Sequence, residues 1–421
     1  MMRSLFSGVS GLRNHQVRMD VIGNNIANVN TVGYKRSRVT FQDMLSQNVR
    51  GSSAPQLGRG GSNPQQIGLG VTIGSLDTIH TQGSSETTGK STDMMVDGDG
   101  FLIVGDGTNN YYTRAGNFDF DSAGNLVNPN GMVVQGWKAD SSGAIDTSQM
   151  IGGISIPKGQ SIQPKATTSA KYINNLDANT APDGVINTSL QIYDSLGNSY
   201  DIPMRFHKDP ATAGLWTFED PGQATGVWPK GIINVTVNQP NITFNTNGSY
   251  ALPNPPDCQV VVDFDPLIGN TGSQTINTVD FRGMTQYTGT SNVTMSTQDG
   301  YGSGVLTGYS VDKSGVVTGT FSNGFSQQLA QVATANFNNP TGLAKNGSNL
   351  FVQTNNSGTA QIGIAGVGGR GEVTPGALEM SNVDLSQEFT DMIITQRGFQ
   401  ANSRIITTSD EMLQELVNLK R

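Results

Sequence analysis

The sequence predicts a mainly β protein with terminal α-helices, in which nested β-domains are inserted between N- and C-terminal coiled-coil helices. Three observations carry that prediction. Apolar residues recur at heptad-like spacing only near the two ends of the 421 residues. The stretch between them is Gly-, Asn- and Thr-rich, and it alternates like strands rather than repeating like helices. Charged residues make up only 14% and Gly numbers 53, which suits short strands joined by tight turns and is poor for a helical enzyme.

The first helix is expected over 3–29, with Leu5, Val9, Leu12, Met19, Ile22 and Ile26 on one stripe. Gly8, Gly11 and Gly23 each lower its intrinsic stability by up to about 1 kcal/mol relative to Ala, so it needs a partner. Asn24, Asn25, Asn28 and Asn30 then lead to Gly33, a helix stop. Residues 34–49 are mixed, with a short amphipathic stretch at Phe41, Met44 and Leu45. Residues 50–70 read as a Gly/Ser/Pro/Gln-rich linker.

From Val71 the pattern becomes β-like. Met94–Val96, Phe101–Val104, Tyr111–Thr113, Asn117–Phe120, Leu126–Val127 and Met132–Trp137 are short apolar runs split by Asp/Gly/Asn turns, as in a sandwich or small barrel. A second set runs from Ile151 to about residue 298. It includes two alternating strands joined by the turn Asp194–Asn198. A third set, from Gly304 to Gln353, is expected to rejoin the first, because the two ends must return to one place to pair. The resulting plan has helical segments at 1–30 and 377–421, connecting regions at 31–70 and 366–376, a first β-domain at 71–147 and 301–365, and an outer one at 148–300.

The C-terminal helix is expected from Asp384 or Ser386, with Asp384 as its cap. Its stripe is Leu385, Phe389, Met392, Gln396, Phe399, Ser403, Ile406, Asp410, Leu413 and Val417. The polar members either fix the register of a helical seam or face solvent or a lumen. Two narrow stripes cannot each be buried alone. The helices must pair with each other and with copies in other molecules, which makes the apolar stripe residues a subunit interface.

Chemistry is mostly excluded. A net charge of −8 and a pI near 4.9 leave no basic surface for nucleic acid. No apolar run approaches the roughly 18 residues of a membrane span. The opening MMRSLFSGVSGLRNHQ lacks the apolar core of a cleaved secretory signal. Gly366–Gly371 spells GxGxxG, but Pro375 and Gly376 follow where a helix belongs. A calcium loop starting at Asp119 fails at Ala123 and at Asn130, so a hairpin turn is the better reading. His15, His80 and His207 are scattered, and no nucleophile motif occurs. No catalytic, cofactor or metal site is expected. The single cysteine, Cys258, allows no intrachain disulfide. It lies in PNPPDCQ and reads as a surface thiol in a Pro-rich turn, with a cross-link to a neighbouring subunit as the alternative.

Three long runs point to a family. Residues 7–44 (SGVSGLRNHQVRMDVIGNNIANVNTVGYKRSRVTFQDM) and 376–419 (GALEMSNVDLSQEFTDMIITQRGFQANSRIITTSDEMLQELVNL) resemble the shared beginning and ending of bacterial flagellar axial proteins, the rod and hook family. Within these runs Asn24, Asn25, Asn28, Gly33, Asn382, Asp384, Gln396 and Arg397 fall on the family's motif. Residues 87–104 and 111–137 are similar to its first core domain. The central insert, with LQIYDSLGNSYDIPMRFH and 283–324, resembles the hook branch.

The resemblance implies a non-enzymatic subunit of a curved hollow tube, the universal joint that carries motor torque to the filament. It implies a homopolymer meeting distal rod, hook cap and hook–filament junction proteins, and an extracellular place in the flagellum. Export would be by the flagellar type III apparatus without a cleaved signal. A distal rod subunit is the alternative within the family. A β-rich adhesin module or a glycosidase stands outside it.

Overall fold

The computed structural model describes residues 2–55, 58, 60–222, 228–251, 258–266 and 272–419, with side chains from Ser4 onward. Strands dominate, and helices α1 (Met2–Ala27) and α2 (Leu385–Asn418) stand at the two ends. The chain divides into two compact units. The first holds Met1–Lys158, Tyr309–Thr318 and Gln328–Arg421; the second holds Gly159–Gly308 and Gly319–Gln327.

In the first unit the later strands return to the earlier ones, as the need to bring the ends together demands. Leu350 pairs with Thr113, Thr334 with Leu102, and Gly136 with Val332. The core beneath this sheet is Phe101, Ile103, Tyr112, Trp137, Ala333, Ala335, Phe337, Leu343 and Phe351. Its aromatic members meet edge to face, as at Tyr112–Phe337 with centroids 4.7 Å apart.

Two expectations are corrected here. The stretch 50–70, read as a linker, contains the return strand of a β-ribbon. Gln65–Gly68 pairs with Ser46–Arg50, and behind it Val71–Thr78 pairs antiparallel with Ser37–Asp43. The outer strands of this ribbon are exposed on both faces, so no inside–outside alternation marks them. The connecting region 366–376 is likewise mostly held. Glu372–Pro375 pairs with Met94–Asp97, and Ala377–Glu379 follows against Ser85–Thr87. The GxGxxG run is the turn into that ladder, closed by the Gly366 N–H on Gly371 O at 3.0 Å. The turn at 121–125 is a hairpin in which Asp121 Oδ1 accepts from the N–H groups of Ala123 and Asn125.

The second unit is built of two sheets sharing one core. One sheet orders its strands 232–238, 258–264, 273–285, 169–175 and 294–298, and the other 185–193, 199–208, 215–219 and 241–243. Strand Ser199–Lys208 turns Ile202, Met204 and Phe206 inward at alternate positions. Tyr172, Phe206, Phe218 and Phe281 cluster with centroids 5.0–5.9 Å apart. The expected hairpin is present, running from Val185↔His207 to Tyr193↔Ser199, and Asp194 accepts both turn N–H groups.

Cys258 is a correction. It opens the strand Cys258–Phe264 and is 6% exposed in this core. Burial pushes its thiol up to about 12, and a buried protonated thiol is a poor partner for a cross-link. The Pro-rich residues before it, 252–257, lie outside the described residues.

Candidate assembly interface

The two helices pack antiparallel along an unusual seam. Ser4 Oγ lies 3.5 Å from Ser409 Oγ, Arg18 pairs with Asp391 at 3.1 Å, and Asn25 Nδ2 donates to Glu388 Oε1 at 3.1 Å. Between these rungs glycines let the backbones approach. A Cβ on Gly8 would sit 3.4 Å from Ile406, one on Gly11 would sit 2.7 Å from the Asn402 amide, and one on Gly398 would sit 2.8 Å from the His15 ring. Each contact is a knob from one helix filling the gap left by a glycine on the other.

Along α2 the side facing α1 therefore reads Glu388, Met392, Thr395, Phe399, Asn402, Ile406, Ser409 and Leu413. Polar or small residues alternate there with apolar ones, and Glu388, Thr395 and Ser409 are fully buried. This corrects the expected register. Met392, Phe399, Ile406 and Leu413 are half-buried on the seam, but Gln396 and Asp410 are exposed and Ser403 is half-buried. The heptad signal had two solutions sharing the same apolar quartet, and buried Glu, Thr, Asn and Ser hid the true one. On α1, Ile22 is buried; Leu5, Leu12, Met19 and Ile26 are half-buried; Val9 is exposed.

Other apolar residues of α2 remain exposed. Leu385, Phe389, Ile393, Ile394, Ile405, Met412, Leu416 and Val417 are 39–70% exposed, spread over both flanks of the seam. One helix of about 50 Å thus carries an internal seam and apolar side chains open to water beside it.

The Asn and Gly positions between α1 and the ribbon are joints. Asn25 is buried. It donates to Ser37 O and Glu388 and accepts from Ser37 N and the Tyr34 hydroxyl. Asn28 ties back to Asn24 O and accepts from Thr31. Gly33 has φ +67° and donates to Glu379 O at 2.7 Å; a Cβ there would come 2.5 Å from Ala115 N. Asn382 accepts from Arg36 N at 2.8 Å and donates to Ile79 O and Thr81 O. Asp384 caps α2, accepting from Ser386 N and Gln387 N. Arg397 reaches Gln400, one turn on along its own helix, at 3.5 Å. Burial raises the Glu388 carboxyl above its ordinary range, against the Asn25 hydrogen bond and Arg36 at 3.8 Å.

A buried ion cluster, invisible in the sequence, closes the base of the helix pair. Glu379 is fully buried and takes Lys35 Nζ at 2.6 Å and Arg114 Nη1 at 3.3 Å. Lys35 also donates to Thr81 O, and Arg114 to Val96 O and Gly98 O.

Paired end helices that leave apolar side chains exposed, with β-units in the chain between them, define a structural subunit made for assembly. Residues 5–35 match the flagella basal body rod protein family and 374–419 its FlgEFG C-terminal family. Residues 95–187 match the flagellar hook protein FlgE/F/G D1 domain, and 161–301 the flagellar basal body protein FlaE D2 domain. The chain is 46% identical to the flagellar hook protein FlgE of Borreliella burgdorferi over 455 residues and 44% identical to that of Treponema pallidum over 469, each alignment covering 100% of both chains. It is 35% identical to the flagellar basal-body rod protein FlgG of Bacillus subtilis, again across 100% of both. The chain belongs to the flagellar hook protein family.

Proposed function

We propose that this chain self-assembles into a curved hollow tube, the flagellar hook, with the terminal helices lining its core. The observation that carries the reading is the apolar surface that α2 leaves exposed on the flanks of the seam. It is exposed in one chain, and a neighbouring copy would bury it for about 25 cal/mol per Å². Such apolar contact is non-directional, so it holds subunits together while their angles change. The low charge of the β-units suits contacts that slide as the tube rotates while bent. Distal rod, cap and junction proteins are the partners at its ends. Export by the flagellar type III apparatus, to the cell exterior, is the route proposed.

Electron microscopy of the full-length chain under polymerising conditions tests this. Wild-type protein should give curved tubes. Phe389→Ser combined with Val417→Ser should give folded monomers and no tubes, and tubes from that variant would overturn the assignment of that surface. Straight tubes from wild type would favour a rod subunit, which the FlgG relation makes the second reading.

A further inference from the structure

Four Asn-Gly pairs occur in the chain, with Asn at 130, 247, 323 and 346, and each lies in a turn whose glycine has a positive φ. Such a pair can react internally, because glycine has no Cβ to shield its N–H from the side-chain amide that precedes it. The four turns differ in what those two groups are already doing. Gly131, Gly248 and Gly324 each donate to the carbonyl three residues back at 2.9 Å. Asn247 Oδ1 accepts from Ser249 N at 3.0 Å, while Asn323 donates to Gly302 O at 2.7 Å and accepts from Phe325 N at 3.0 Å.

Asn346–Gly347 departs from this pattern. It opens the turn between strands Ala344–Lys345 and Leu350–Val352, and both residues are exposed. Among the described residues, neither the Gly347 N–H nor the Asn346 side-chain amide has a hydrogen-bond partner. A Cβ built on Gly347, at φ +78°, would meet nothing within 4 Å, so water and base reach its nitrogen. The turn is nevertheless closed on either side: Asn346 N donates to Leu350 O at 2.8 Å and Leu350 N to Gly347 O at 2.9 Å. It also holds a neighbour. Lys345 Nζ donates to Lys35 O and Ser37 Oγ, and Asn349 Nδ2 donates to Val32 O at 2.9 Å, so the turn clasps the segment that leaves α1.

We propose that Asn346 is a site of spontaneous modification, converting to isoaspartate with Gly347 N as the nucleophile, and that this conversion releases residues 32–37 from the turn. Base removes the Gly347 N–H proton, and the nitrogen attacks Asn346 Cγ. The N–Cγ bond forms, the Cγ–Nδ2 bond breaks, and Nδ2 takes a proton from water and leaves as ammonia. Water then opens the cyclic imide. Attack at the Asn346 main-chain carbonyl gives isoaspartate, and attack at Cγ gives aspartate. One water is consumed, one ammonia is released, and nothing is oxidised or reduced. Isoaspartate inserts a methylene into the main chain inside the ring closed by the Asn346 N–H and Leu350 O, and it sets a new carboxylate beside Lys345. Both changes draw the turn off Val32 and Ser37.

Full-length monomer aged in mildly alkaline buffer tests this by peptide mapping, with fragmentation in the mass spectrometer separating isoaspartate from aspartate. Residue 346 should convert at least about fivefold faster than 130, 247 and 323, whose glycines must each first break a hydrogen bond. Heavy oxygen from labelled water should enter with each conversion, and in denaturant the four rates should converge. Asn346→Gln, whose longer side chain disfavours ring closure, should stay unmodified at 346. Hydrogen exchange over 28–36, where the Gly33 N–H is held by Glu379 O and the Tyr34 N–H by Thr31 O, should quicken in aged wild type in step with isoaspartate. It should stay constant in aged Asn346→Gln. Conversion in the folded chain no faster at 346 than at the other three, or an equal lead in denaturant, overturns the assignment of the site. Unchanged exchange over 28–36 once isoaspartate has accumulated overturns the release.

Discussion

Replacing Glu379 by Gln should open the first unit while sparing the second. Glu379 has no exposed surface, and its oxygens take Lys35 Nζ at 2.6 Å, the Gly83 N–H at 2.9 Å and Arg114 Nη1 at 3.3 Å. Gln keeps the shape but turns one acceptor into a donor, which must face a lysine or an arginine that only donates. Two cations are then left in a dry site without their counter-charge. Breaking a buried pair in this way costs about 3–5 kcal/mol, because the desolvation of the remaining charge is no longer offset. Hydrogen exchange read by mass spectrometry localises the effect. Peptides over 94–114 and 372–380 should open roughly 150- to 5,000-fold more readily, which is about 3–5 kcal/mol. Peptides over 199–208 should be unchanged. A loss below about 1 kcal/mol in the first set would refute the reasoning, since it would mean that the charges already reach solvent. Adding Lys35→Met should recover part of the loss by removing an unpaired ammonium; a further, additive loss would count equally against it.

Gly11→Leu should separate the helices and abolish tubes, because even its Cβ would lie 2.7 Å from Asn402, whereas Gly23→Ala, with nothing within 4 Å, should keep tubes and stabilise α1 by up to about 1 kcal/mol in thermal unfolding. His80 is held down to about 4 while an unfolded histidine titrates near 6.5, so the unfolded chain takes the proton first. Stability present above about pH 6.5 is therefore lost as pH falls toward 4, by up to roughly 3 kcal/mol, and His80→Phe should flatten that limb of the denaturation profile. Cys258, pushed up to about 12 by burial, should react with a thiol reagent only at the rate at which the second unit opens; fast reaction of native protein would contradict the fold there.

What the sequence shows and hides follows from which side chains touch apolar surroundings. The start of α2 was legible because Asp384 performs the local job that its type announces, whereas Gly33, read as a helix stop, lies beyond the end of α1 at Ala27 and serves a contact with Glu379 O instead. The strands of both cores were legible where one face is buried, as at Ile202, Met204 and Phe206. The Ser46–Arg50 and Gln65–Gly68 ribbon was not, since a ladder held by backbone alone leaves no pattern in its side chains. The helix register was misread for the opposite reason. Gly11, Gly398 and His15 make the seam by shape, and hydrophobic periodicity does not weigh shape. Lys35, Arg114 and Glu379 carry no signal in the sequence, and only the fold brings residues 344 positions apart to 2.6 Å.

That separation has a consequence for a chain that emerges gradually from one end. Until residues 372–379 arrive, the strands at Met94–Asp97 and Ser85–Thr87 lack their partners, and Lys35 and Arg114 have no carboxylate between them. An unfinished chain cannot lock its first unit, whereas the second, encoded wholly in between, has every strand it needs much earlier. Order of appearance thus becomes order of commitment: the helix-bearing unit, whose exposed apolar side chains are the hazard for premature sticking, closes only when nearly the whole chain is free.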